Sequence, residues 1–209
     1  MSSSPLWPMV RAEREQFADL LEGLTPDQWQ APSLCAGWSV HDVVAHCIST
    51  AHTTPGSFLS GIVMSGFSFA KFATNGIARH GAGGPAQLIA ASRASASRTN
   101  APPGPTQTPL SEILVHSQDV ATPLGITHAH DPQALVTSLD FYQDAQPLIG
   151  AKKRVAGLRL EATDVPWSYG EGPTVSGPAV SLLQAMSGRR AGLAGLSGDG
   201  VAALTARCP

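Results

Sequence analysis

With 209 residues, of which 43% are hydrophobic and 13% charged, the chain carries enough apolar surface for one sizeable core and a smaller appended unit, which excludes intrinsic disorder. Its 13 basic and 15 acidic residues are scattered and leave a formal net charge of -2, so there is no electrostatic footprint for a phosphate backbone and no nucleic-acid partner is expected. Cys35, Cys47 and Cys208 are odd in number, far apart and without CxxC spacing, which argues against a disulfide framework and fits a reducing cytoplasm.

From Pro8 to Leu24 the apolar residues Val10, Phe17, Leu20, Leu21 and Leu24 recur at helical spacing, with Glu13, Arg14, Glu15 and Asp19 between them, so the first element is an amphipathic helix. Met1-Ser-Ser-Ser-Pro5, ahead of it, lacks the charged start and apolar run of a signal peptide. Thr25-Pro26-Asp27-Gln28 reads as an N-cap, a proline at the first helical position and a capping-box glutamine, and predicts a short helical turn that Pro32 to Gly37 ends. Ser39 then caps a second main helix with Val40, Val43, Val44, Cys47 and Ile48 on one stripe and His46 beside it.

A third helix is expected from Ser57 to Ala78, weakened by Gly61 and Gly66. The apolar segment Phe58 to Phe72 within it is short, interrupted by Gly and Ser and carries Lys71, so no membrane span is expected. Ala86 to Arg98 is an Ala-rich helix, Asn100 to Pro105 a rigid connector, and Leu110, Ile113, Leu114 and Val120 mark a helix ending near Pro123-Leu-Gly125. A further helix runs from Pro132 to Ala145, and the short connections predict a helical bundle over residues 1–150. After Pro147 the pattern changes: Lys152-Lys153-Arg154 reads as a solvated connector, and Leu158, Leu160 and Ala162, then Val165, Trp167 and Tyr169, alternate at period two. With Val175 in a further short strand and a helix over Pro178 to Met186, residues 151–209 form a small α/β domain.

His46, Glu112 and His116 together make a ligand set for a divalent cation, in which Glu112 and His116 stand one above the other on one helical face. Asp42, four residues before His46, and Asp119, three after His116, are spaced to accept the proton of each ligand's other ring nitrogen. The same residues have an ordinary reading: polar groups opposite Ile113, Leu114 and Val120 are what a solvent face looks like, and a histidine beside an apolar stripe is commonly a hydrogen-bonded core-edge residue. The spacing leaves both open. His41 and His52 point to other faces of their helix, His80 lies beside a glycine-rich turn, and His128-Ala-His130 reads as a solvated connector. There is no GxSxG elbow, and Gly195-Leu-Ser-Gly-Asp-Gly200 lacks a phosphate-loop lysine.

Longer words of the sequence resemble the DinB-like, mycothiol-dependent maleylpyruvate isomerase superfamily of actinobacteria. They are Leu34-Cys-Ala-Gly-Trp38-Ser-Val-His-Asp42-Val-Val-Ala-His46, Ala91-Ser-Arg93, Glu112-Ile-Leu-Val-His116-Ser-Gln-Asp119 and Pro123-Leu-Gly125, followed by Leu158 to Trp167, Gly172-Pro and Ser187-Gly-Arg189. The resemblance implies a mainly α fold, an N-terminal DinB-like four-helix bundle with a small C-terminal α/β domain. It also implies zinc, or another divalent metal, held by His46, Glu112 and His116.

It further implies mycothiol as cofactor or co-substrate, with a small electrophile as the other partner. A thiol in the open ligand position would lose its proton to the cation's field and become a nucleophile at neutral pH, serving S-transfer and isomerisation alike. The family's small domain supplies an arginine for a substrate carboxylate; Arg189 is the nearest candidate, since guanidinium grips carboxylates bidentately, and a surface arginine at a helix end, favoured by the dipole, is the alternative reading of the same residue. That domain reads here as trimmed relative to the isomerase. A zinc hydrolase or amidase using metal-bound water, and a non-catalytic metal-binding bundle, stay open beside the thiol reading, as does a homodimer beside a monomer.

Overall fold

The computed structural model describes residues 6–145 and 149–208, so Met1–Pro5 and Pro147, where the sequence pattern changes, lie outside the described residues. The chain divides into two units, 1–129 and 130–209. In the first, α1 (Leu6–Glu22), α3 (Val40–His52), α6 (Pro85–Ser95) and α7 (Thr108–Ala121) form a four-helix bundle in which α1 and α3 each pack against both α6 and α7. The short α2 (Pro26–Gln30) packs on α3, as does α5 (Phe69–His80), and α4 (Pro55–Met64) meets α5. No helix among the described residues is long and apolar enough to cross a membrane.

Local chemistry sets the helix starts. Thr25 Oγ1 accepts from Gln28 N at 3.3 Å while Gln28 Oε1 accepts from Thr25 N at 2.9 Å, the reciprocal cap that the sequence spells out. Ser39 and Asp42 make a second such box at the head of α3. The core gathers Phe17 and Leu21 of α1, Trp29 of α2, Val43, Val44 and Ile48 of α3, Leu88 of α6 and Ile113 and Val120 of α7. Helix α7 is buried on almost every side, including Ser117, Gln118 and Asp119, and a fully buried Leu such as Leu110 or Leu114 stabilises the fold by about 1.5–3 kcal/mol.

The single helix expected from Ser57 to Ala78 is instead two, α4 and α5. Gly66 N donates to Val63 O and Phe67 N to Ile62 O, at 3.0 and 2.8 Å, which is the paired C-terminal cap of a helix that ends with a left-handed residue. Gly66 at φ +63 supplies it, and Phe67 follows at φ +60. Ser68 then caps α5 by accepting from Lys71 N. The α4–α5 pair turns Leu59, Val63, Met64, Phe67 and Phe69 to solvent, while a Cβ on Gly61 would fall 2.5 Å from the Phe72 ring.

The second unit holds α8 (Pro132–Tyr142), α9 (Ala151–Val155), β1 (Arg159–Ala162), β2 (Ser168–Tyr169), β3 (Thr174–Gly177), α10 (Ala179–Met186), a 3-10 turn over Arg190–Gly195 and α11 (Val201–Thr205). Its sheet has the order β2-β1-β3, with Leu160 opposite Tyr169 in the antiparallel pair and opposite Val175 in the parallel one. The contacts draw the boundary between Ala129 and His130, where the sequence pattern draws it at 150, because α8 buries Leu135, Leu139 and Tyr142 and packs on α10. Trp167 Nε1 also donates to Asp140 Oδ1 of α8 at 2.8 Å. Lys152-Lys153-Arg154 is not a plain connector: it forms α9, and Arg154 Nη1 donates to the carbonyls of Ile149 and Met186. Asp164 Oδ1 accepts from Ala179 N at 2.8 Å and caps α10 from the β1–β2 loop.

Because a Cβ at Gly66 meets nothing within 4 Å, Gly66→Ala should cost only the left-handed backbone penalty. Chemical denaturation should show a stability loss of about 1 kcal/mol with an unchanged denaturant slope.

Candidate metal centre

Helix α3 presents His46 and α7 presents Glu112 and His116, and the bundle brings the three together. One ligand atom from each lies within 4.8 Å of the others. His46 Nε2 stands 3.2 Å from Glu112 Oε1, and the two imidazoles meet edge to face with centroids 4.9 Å apart. The solvent-face reading of α7 is therefore not what the fold makes of it: the side chains of His46, Glu112 and His116 are 15%, 23% and 14% exposed.

Asp119, on the turn after His116, has no solvent exposure, and its Oδ2 lies 2.9 Å from His116 Nδ1. That bond occupies Nδ1 and leaves Nε2 as the ring nitrogen of His116 available to a cation. Asp42 does not pair with His46. Its Oδ2 accepts from Ser39 N at 2.9 Å and from Ser39 Oγ at 2.8 Å, so the carboxylate is committed to the N-terminus of α3, where the orphan donors of the first turn and the helix dipole both favour it.

Sequence reasoning missed four neighbours. Arg14 of α1 is buried and donates through Nη1 to Arg98 O at 2.9 Å and to Ser95 O at 3.4 Å. The signal was present, because position 14 falls on the same stripe as Val10, Phe17, Ala18 and Leu21. Cys35 Sγ donates to Asp119 Oδ2 at 3.1 Å, and the Trp38 ring lies 5.0 Å from that of His46. Cys47 lies one residue beyond His46. His41, His52 and His128 make other contacts within the first unit. His41 Nε2 sits 3.1 Å from Gly83 O, His52 pairs its ring with His80, and His128 O accepts from Gln118 Nε2.

Burial works to raise the Glu112 pKa, yet the hydrogen bond with His46 and the charges of His46, His116 and Arg14 outweigh it and hold the carboxyl below its ordinary value. Burial lowers the Arg14 pKa, against the opposing pull of Glu112 and Cys47. Burial, helped by Glu112 and Cys35, pushes the Cys47 thiol well above its usual range, so it stays protonated at neutral pH.

The donor set fits a divalent cation. Atoms that each bond an ion at about 2.0–2.2 Å lie about 3.4 Å apart in a tetrahedron, so donors within 4.8 Å of one another need only a small contraction. Two imidazoles and a carboxylate suit zinc, and equally nickel, cobalt or iron.

Two outcomes follow for the metal-free protein. Arg14→Met should destabilise it by about 2–3 kcal/mol in thermal or urea unfolding, because the carbonyls of Ser95 and Arg98 and the Glu112 carboxylate lose a charged partner. A carboxyl whose folded pKa is depressed contributes stability that is present above its unfolded pKa and lost as pH falls through the folded one. Unfolding profiles of the wild type and Glu112→Gln should therefore differ at neutral pH and converge on acidification below the ordinary carboxylate range.

Residues 10–105 match the family described as mycothiol maleylpyruvate isomerase N-terminal domain. None of the curated proteins matches the chain in sequence. Two crystal structures of the mycothiol-dependent maleylpyruvate isomerase, one of them a histidine-to-alanine mutant, superpose with a TM-score of 0.64 at 15% identity, over 95% of this chain and 96% of theirs. The likeness is one of fold, and its span of nearly both whole chains does not bear out the expected trimming of the C-terminal domain.

Proposed function

We propose that this chain, whose residues 10–105 match the mycothiol maleylpyruvate isomerase N-terminal domain family, is a metal-dependent enzyme that activates mycothiol for transfer to, or isomerisation of, a small electrophile. The observation that carries the reading is the convergence of His46, Glu112 and His116 from two helices of the bundle, with the fully buried Asp119 behind His116. A merely solvated helix face gives no reason to bury a carboxylate against a histidine.

Zinc or another divalent cation at this site supplies the positive charge that favours a thiolate over a thiol at neutral pH. The chain's own residues prepare that place. Glu112 is held ionised, so it offers negative charge without prior loss of a proton. Asp119 holds the Nδ1 side of His116 and leaves Nε2 for a cation. S-transfer and isomerisation need the same activated sulfur, so this machinery serves either, and the electrophile decides between them. Three cysteines that form no disulfide suit the reducing cytoplasm we propose as its compartment.

We assign Arg189, half-buried just after α10 with Nη1 donating to Ser187 O at 3.2 Å, to binding a substrate carboxylate. Arg189→Lys should raise KM about tenfold with kcat little changed, since loss of one charge-assisted hydrogen bond costs about 1.4 kcal/mol.

Glu112→Ala should abolish tight metal binding, measured by metal content after dialysis, while circular dichroism shows the helical content kept. Calorimetric titration with mycothiol should show binding to the metal-loaded protein and none to the stripped protein. Absence of binding to fully loaded protein would sink the thiol reading and leave a hydrolase or a non-catalytic metal protein.

A further inference from the structure

The segment between α2 and α3 touches both histidines of the candidate centre. Val40 N donates to Ala31 O and Ser33 N to Trp38 O, each at 3.0 Å, so the segment leaves and returns at one neck. Inside it Trp38 N donates to Cys35 O at 3.0 Å, closing a tight turn in which Gly37 has φ +78, the conformation a type II turn requires at its third residue. Ser33 Oγ braces the turn, donating to Trp38 O at 2.8 Å and accepting from Cys35 N at 3.1 Å. Leu34 N donates to Asp119 O at 3.0 Å and ties the segment to α7.

Cys35 and Trp38, at the two ends of this turn, reach different histidines. Cys35 Sγ donates to Asp119 Oδ2 at 3.1 Å and lies 3.8 Å from His116 Nδ1, while the Trp38 ring stands 5.0 Å from the His46 ring at an interplanar angle of 50°. An ionised carboxylate only accepts hydrogen bonds, and Asp119, with no exposure to water, depends on protein donors.

We propose that Cys35 and Trp38 are positioning residues for the metal centre: Cys35 fixes the Asp119 carboxylate and, through it, the tautomer and direction of His116, and Trp38 fixes the plane of the His46 ring. This inference rests on the metal reading above and extends it to two residues outside the ligand set. Both act from one turn, so the two ligand histidines, on separate helices, are aligned by a common support.

The test is the affinity of the purified full chain for zinc ion, by competition with a chromophoric chelator, together with the visible spectrum of the cobalt-loaded protein. Cys35→Ala should weaken zinc binding about 10–100-fold, as loss of a partner behind a ligating histidine does. Cys35→Ser, which keeps a donor, should recover most of that loss and serves in place of the alanine variant if that one fails to fold. Trp38→Leu should alter the cobalt spectrum and weaken zinc, with thermal unfolding of the metal-free variants showing a folded bundle.

Wild-type affinity in Cys35→Ala, or no recovery in Cys35→Ser, would overturn the role of Cys35. Unchanged affinity and spectrum in Trp38→Leu would overturn that of Trp38. A thiolate-to-cobalt charge-transfer band that vanishes in Cys35→Ser would make Cys35 a ligand instead. No zinc binding by the wild type would overturn the metal reading itself, an outcome distinct from normal wild-type binding with unaffected variants.

Discussion

A carboxylate without access to water governs the first unit. Asp119 sits on α7 with zero exposure, takes Cys35 and His116 as partners through its side chain, and receives Leu34 N on its backbone oxygen. Moving a charge of that kind out of water costs several kcal/mol unless donors replace the solvent. The position of α7, the direction of His116 and the path of the segment before α3 are thus mutually constrained. Loss of Cys35 or His116 removes one partner from this buried carboxylate.

The apolar packing makes this arrangement affordable. Ile113 and Val120 of α7 and Val43, Val44 and Ile48 of α3 belong to one buried core that holds these helices together. Within that frame Arg14, Glu112, His46, His116 and Asp119 offset one another: positive groups hold Glu112 ionised, and Glu112 opposes the burial that lowers Arg14. The result is a polar interior in which groups of opposite charge face one another around the ligand atoms.

Much of this was legible in the chain. Capping residues such as Thr25, Gln28 and Ser39, and the periodic stripes of α1, α3 and α7, are local signals, and the helices start where they direct. The pairing of Asp119 with His116 follows from three-residue spacing on one helix. Asp42 had spacing as good toward His46 but was claimed by the helix start, because orphan N–H groups one turn away are nearer partners than a ring four residues on. The break at Gly66 is encoded by a single glycine, read as a weak helix residue when it acts as a left-handed terminator. Arg14 occupies a core position by period but reads as surface by chemistry. What brings α3 to α7, and Cys35 to Asp119, is long-range packing, which no local pattern announces.

The chain distance between the two halves of the cluster has its own meaning. His46 and Glu112 belong to helices separated by α4, α5, α6 and a proline-rich connector, and a bound cation would join them as a reversible cross-link. In polymer terms, pinning a loop of roughly 65 residues removes chain entropy from the unfolded state, on the order of 4 kcal/mol by the relation used for covalent links. Such a cation would act as a staple as well as a reagent, so that the protein's resistance to heat and proteolysis would report the metal supply of its surroundings.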